Sequence, residues 1–194
     1  MGFAIAAEAA RRGHEVTLIA GPVALKTPKG VKRVDAISAR EMLRESLRSL
    51  RGLRGSRGGG GTAFISTAAV ADWRPAKCAA KKLKKGEMSG TLKLVRTPDI
   101  LKTIDSCRRR SNAAGLRLVG FAAETDHVLA EAARKCREKG LSFIVANDVT
   151  QKGCGFGTDT NRVTFVFPDG TQRKYPLMTK RMVAKRILDE VSRL

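Results

Sequence analysis

Apolar residues fall along this chain in two rhythms. Runs of consecutive apolar residues, rich in β-branched types, occupy residues 15–20, 31–37, 63–71, 116–122 and 143–149. Runs of that kind predict strands covered on both faces, as in a parallel sheet packed between helices. Spacing of three and four predicts helices over 2–12, 39–50, 127–139 and 179–194, and over a segment opened by Pro98-Asp99. Gly13 is placed to stop the first helix, and Gly21-Pro22 to end the strand after it. Residues 162–167 and 171–175, joined by Pro168-Asp169-Gly170, read as a hairpin. The expected architecture is therefore one α/β domain over residues 1–194: a mostly parallel sheet with an antiparallel hairpin appendage.

Two segments break the rhythm. Residues 51–61 are mainly Gly and Arg and predict a flexible loop, while 76–90 predict a basic, mobile flap. A doubly wound chain ordinarily opens with a strand and a Gly-rich turn before its first helix. This one opens inside a helix, so the first strand is expected to be missing and Met1 to be an internal residue of a longer protein.

Composition narrows the function. The 194 residues carry 38 Lys+Arg against 18 Asp+Glu, a formal charge of +20. A polyanion partner such as nucleic acid, or an enzyme for phosphorylated small molecules, would suit that charge. Aromatic residues make up only 5% of the chain, which leaves few platforms for stacking bases and makes nucleic acid the weaker reading. Hydrophobic content of 42% argues against disorder, and no apolar run is long enough to span a membrane. No basic leader precedes an apolar block. Cys78, Cys107, Cys136 and Cys154 form no paired motif, which favours a reducing cytoplasm over a disulfide or metal framework.

In open α/β sheets ligands sit beyond the carboxyl ends of the strands, which singles out Asp72, residues 121–124 and Asn147-Asp148. Asp72 suits either a loop-capping carboxylate or a partner for a Mg-bound phosphate chain. Lys81-Lys82-Leu83-Lys84-Lys85 is either a solvated run or a loop that delivers a cation to a phosphate. On the helix at 127–139, Leu129, Ala132, Ala133, Cys136 and Gly140 form the buried stripe, with Lys135 and Lys139 on its flank. Thr97-Pro98-Asp99-Ile100 reads as a helix start, with Thr97 as cap and Pro98 first in the helix. The Gly-rich residues 153–161 lack the flanking strand and helix of a dinucleotide or phosphate loop. Neither His14 nor His127 has a neighbouring nucleophile, which argues against a hydrolase triad.

Taken in order, these motifs resemble the phosphopantothenate–cysteine ligase family of coenzyme A biosynthesis. The resemblance runs through Met1-Gly2-Phe3-Ala4, Arg12-Gly13-His14-Glu15-Val16, Ala68-Ala69-Val70-Ala71-Asp72-Trp73-Arg74-Pro75 and Lys82-Leu83-Lys84-Lys85. It continues through Thr97-Pro98-Asp99-Ile100-Leu101, Val119-Gly120-Phe121-Ala122-Ala123-Glu124-Thr125, Ala146-Asn147-Asp148-Val149 and Gly155-Phe156-Gly157-Thr158-Asp159-Thr160-Asn161. It implies a Rossmann-like three-layer fold and a CTP-dependent ligase acting on 4′-phosphopantothenate and L-cysteine through an acyl-cytidylate. It also implies Mg2+ with the triphosphate, a cytoplasmic homodimer, and FMN only where a decarboxylase half precedes this chain. By matching motifs, Lys82 is the implied catalytic lysine and Asp72 faces the triphosphate and its metal. Thr97, Pro98, Asp99, Ile100, Phe121, Lys135 and Lys139, together with Asp72 and Lys82, are the implied nucleotide-binding positions. Ala68 is implied to lie near the acyl intermediate. The Gly-rich loop that precedes the first helix in the family has no counterpart here, and Thr97 stands where the family often has Asn.

Overall fold

The computed structural model describes residues 1–52, 61–82, 84, 90–111, 113, 115–124, 128–148, 154 and 157–194, excepting the side chains of Gly52, Ala123, Glu124, Val128 and Asp148. The chain opens with α1 (Gly2–Arg11), stopped as expected by Gly13, whose φ of +82° few other residues would adopt. Strands β1 (Val16–Ala20) and β2 (Val31–Asp35) pair in parallel as a two-stranded sheet. The second is shorter than its apolar run, and Ile37 lies exposed beyond it. Helix α2 (Ala39–Gly52) takes in Arg51 and Gly52, so the Gly/Arg segment starts later than the sequence suggests; its residues 53–60 lie outside the described residues.

The central sheet comprises β3 (Thr62–Ile65), β6 (Leu116–Glu124), β7 (Phe143–Asp148), β9 (Thr164–Val166) and β10 (Gln172–Lys174), in the order β10-β9-β7-β6-β3. The pairs β3–β6 and β6–β7 are parallel, whereas β7–β9 and β9–β10 are antiparallel, the expected appendage. Two small ladders were not anticipated: β4 (Trp73–Pro75) with β5 (Leu94–Arg96), and β8 (Thr160–Asn161) with β11 (Met178–Thr179). Both are too short for a periodic signal.

Period-two alternation sends neighbouring strand residues to opposite faces, and two cores result. Val119, Phe143, Val145 and Phe165 face α1 and α5 (Lys180–Val191), whose Ile5, Ala9, Val183 and Ile187 complete one layer. Leu118, Ala122, Ile144 and Ala146 face α3 (Ile100–Arg110) and α4 (Val128–Glu138), which bring Ile100, Leu101, Ile104, Ala132 and Cys136. In the first layer Glu8 is buried beside Arg11 and Arg12, whose hydrogen bonds hold its carboxyl at about 2 against the opposing effect of burial. Arg12 also reaches α5, pairing with Asp189 at 2.8 Å and donating to the Lys185 carbonyl at 3.2 Å. The end of α1 is thereby fixed against α5.

Candidate functional site

The longest apolar run does not form one strand. Only Thr62–Ile65 pairs with β6, and residues 66–71 leave the sheet. The Ser66 N–H still donates to the Val119 carbonyl at 2.9 Å, after which the small residues Ala68, Ala69 and Ala71 let the backbone line a space instead of filling a core. Gly2 fits closely against this segment, where an added Cβ would meet Thr67 Oγ1 at 2.7 Å. Asp72 therefore follows an excursion beyond β3 and is not the last residue of a strand. Its carbonyl accepts the Thr97 N–H at 2.8 Å, tying the segment to the approach to α3.

The start of α3 also differs from expectation. Asp99, not Thr97, is the cap: its Oδ1 accepts the Lys102 N–H at 3.0 Å, and the helix begins at Ile100. The other carboxylate oxygen lies 3.0 Å from Lys139 Nζ. Burial pushes the Asp99 carboxyl up, but the Lys102 N–H and the Lys139 ammonium outweigh burial and hold it below its usual range. On α4, Ala132 and Cys136 are buried and Leu129, Ala133 and Gly140 half-buried, as the stripe predicts. Arg134 bridges Glu131 and Glu138 on the outer side. The Cys136 thiol is raised by burial to about 11, which leaves it an inert core group.

These elements enclose a cavity of about 440 Å3 beyond the carboxyl ends of β3, β6 and β7. Ala68, Asp72, Thr97, Pro98, Asp99, Ile100, Phe121, Lys135 and Lys139 all line it, so one wall unites positions separated by seventy residues of sequence. Lys82 is not among the lining residues. It is exposed, in a flap whose residues 83 and 85–89 lie outside the described residues. His127 and Gly153, Gly155 and Phe156 of the Gly-rich turn also lie outside them. Cys154 is buried, and its carbonyl accepts the Asn147 amide at 3.0 Å, so the residue is part of the cavity's support.

The cavity also includes residues to which sequence reasoning gave no site role: Met1, Ser66, Thr67, Asn161 and Lys180. Asn161 and Lys180 are placed by the β8–β11 ladder, in which Met178 pairs with Asn161 and the Lys180 N–H donates to the Asp159 carbonyl at 2.9 Å. A lysine at a helix start reads in sequence as a solvated charge, and a two-residue ladder leaves no pattern.

As a chemical environment the cavity has a lysine-bearing lining that suits oxyanions. Lys135 and Lys139 stand on one side, and the N-terminal end of α3 adds its positive dipole. Asp72 is exposed at the wall, whereas Asp99 is committed to Lys139. A single available carboxylate suits Mg2+, which is usually bound by one or two carboxylates plus a substrate's phosphates. No group of three or more His, Cys, Asp and Glu side chains is assembled to hold a metal alone among the described residues. No helix of the described residues is long and apolar enough to cross a membrane.

Comparison with known proteins bears on this site. The family model described as the DNA/pantothenate metabolism flavoprotein C-terminal domain matches residues 1–194. The coenzyme A biosynthesis bifunctional protein CoaBC of Bacillus subtilis (strain 168) is 40% identical over 194 residues, covering 100% of this chain and 45% of that protein. Its counterpart in Escherichia coli (strain K12) is 41% identical over 197 residues, covering 98% of this chain and again 45% of the relative. The chain thus spans less than half the length of these curated relatives. Among solved structures, the crystal structure of the C-terminal domain of coenzyme A biosynthesis bifunctional protein CoaBC superposes with a TM-score of 0.77 at 35% identity, covering 99% of this chain and 80% of that one.

Proposed function

Since the chain belongs to the DNA/pantothenate metabolism flavoprotein C-terminal domain family, we propose that it is the phosphopantothenate–cysteine ligase unit of coenzyme A biosynthesis, using CTP. The observation that carries this reading is the convergence of Ala68, Asp72, the α3 start, Phe121, Lys135 and Lys139 on one cavity. The triphosphate of CTP would lie against Lys135, Lys139 and the N-terminal end of α3. Asp72, with the triphosphate, would hold Mg2+, which when bound offsets the negative charge of the phosphates.

In the first step the carboxylate of 4′-phosphopantothenate attacks the α-phosphorus of CTP. A C–O–P linkage forms, and pyrophosphate leaves with the electrons of the broken P–O bond. In the second step the lone pair of the cysteine amine attacks the acyl carbon, the bond to the CMP oxygen breaks, and the surplus amine proton passes to solvent. Lys82 acts in the first step: delivered by the flap, its ammonium offsets charge that builds on the departing phosphates, an effect greatest in a site closed to water. Asp99 holds Lys139 at the wall before the nucleotide arrives.

On the same resemblance we assign the protein a homodimeric, cytoplasmic state, and a flavin to the preceding half in bifunctional relatives, not to this domain. The role of Lys82 is tested by measuring the cysteine-dependent product in the full-length protein. Lys82→Gln lowers turnover about 10²-fold, the scale for loss of one transition-state charge contact. Unchanged turnover removes Lys82 from the mechanism.

A further inference from the structure

The cavity is also lined by polar residues of β7, β8 and α5 that are not among the implied nucleotide-binding positions. Asn147, in β7, and Asn161, in β8, are 9% and 5% exposed, and both line the cavity. The Oδ1 atom of each is shut off from water and has no hydrogen-bond partner. A buried acceptor left in that condition costs about 1–3 kcal/mol, so its persistence beside a ligand cavity calls for an explanation. Asn147 is oriented: its Nδ2 donates to the Cys154 carbonyl at 3.0 Å, which leaves the oxygen as the group still to be satisfied.

Lys180 lines the same cavity, half-buried, and makes no ion pair with a described carboxylate. It is the first residue of a twelve-residue helix whose cap, Thr179, accepts the Met182 N–H. Lys180 belongs to the α1/α5 layer, whereas Lys135, Lys139 and Asp99 belong to the α3/α4 layer across the sheet. Two amide acceptors and one cation complement a free α-amino acid. The acceptors can hold an amine without a full negative charge, which would keep that amine protonated and without a lone pair. The lysine matches the carboxylate, and the two amide oxygens on the same side of the cavity match the N–H donors of the amine.

We propose that Asn147, Asn161 and Lys180 form the amino-acid subsite of the ligase, with the amide oxygens taking the α-amine of cysteine and Lys180 its α-carboxylate. The proposal rests on the ligase reading and specifies which end of the cavity receives the second substrate. An amino acid held there approaches from the α1/α5 side, and the nucleotide from the α3/α4 side, so the acyl carbon lies between them.

The test compares cysteine with 2-aminoethanethiol, which lacks the carboxylate, in the full-length protein supplied with CTP and 4′-phosphopantothenate. The ratio of kcat/KM for the two amines falls about 10-fold in Lys180→Gln, the scale for a lost charge-assisted hydrogen bond, and recovers in Lys180→Arg. Asn161→Ala raises KM for both amines more than KM for CTP. An unchanged ratio in Lys180→Gln overturns the subsite, as does an Asn161→Ala effect confined to CTP or phosphopantothenate. Wild-type protein that releases no pyrophosphate from CTP on adding phosphopantothenate overturns the ligase reading itself. Pyrophosphate release with an unchanged amine ratio overturns the subsite alone.

Discussion

Asp99 does two jobs with one carboxylate: Oδ1 caps α3 through the Lys102 N–H, and Oδ2 tethers Lys139 from α4. The two are separable because asparagine caps a helix about as well as aspartate but carries no charge. Asp99→Ala is expected to lower stability in urea unfolding by about 1 kcal/mol, whereas Asp99→Asn stays close to wild type at neutral pH. Because the Asp99 carboxyl lies below its usual range in the fold, its contribution is present above the unfolded-state pKa and is lost as pH falls through the folded value. Asp99→Asn should remove that part of the acid sensitivity, and equal stability of Asp99→Ala and wild type would contradict the cap. Sequence placed this residue at the helix start but gave the cap to Thr97. The sequence Thr-Pro-Asp allows either residue, and the backbone decides: Thr97 is engaged with the Asp72 carbonyl before the helix begins.

Between elements, the joint of α3 with α4 controls where the cavity lysines stand. Gly140 follows α4 at φ +60°, and an added Cβ would lie 2.6 Å from Asp105 Oδ1. Asp105 cannot yield easily, since Arg108 holds it at 2.5 Å and Arg109 at 2.8 Å, while Arg108 also donates to the Gly140 carbonyl at 2.9 Å. Gly140→Ala is expected to cost about 1–3 kcal/mol in thermal or urea unfolding, from left-handed backbone and contact together. Because α4 carries Lys135 and Lys139, the same variant should raise KM for CTP; wild-type stability would show that the joint gives way. The helices and the parallel strands were legible because each repeats its pattern over enough residues. The run at 63–71 misled because alanines that line a cavity look like alanines that fill a core. The β4–β5 and β8–β11 ladders, with two or three residues per strand, left no period to read, so Lys180 was missed and Asn161 stood only as the last residue of a matched motif.

At the scale of the molecule, the +20 charge is distributed unevenly. Arginines surround the buried or half-buried acids: Arg11 and Arg12 at Glu8, Arg108 and Arg109 at Asp105, and Arg173 and Arg193 at Glu190. Those carboxylates are thereby committed to the scaffold, while Lys135, Lys139 and Lys180 all line the cavity. Low-dielectric walls bearing one sign of charge concentrate ligands of the other, which would suit the phosphates and carboxylates of the proposed substrates. The central claim is that the cavity joins a nucleotide to a carboxylate before any amine enters. It is tested most directly by mixing the full-length protein with CTP, Mg2+ and 4′-phosphopantothenate without cysteine, and following pyrophosphate while identifying the acyl product by mass spectrometry. The expected result is pyrophosphate release with an acyl-cytidylate that disappears, yielding CMP, when cysteine is added. Pyrophosphate that appears only after cysteine is added, with no cytidylate at any time, would contradict it.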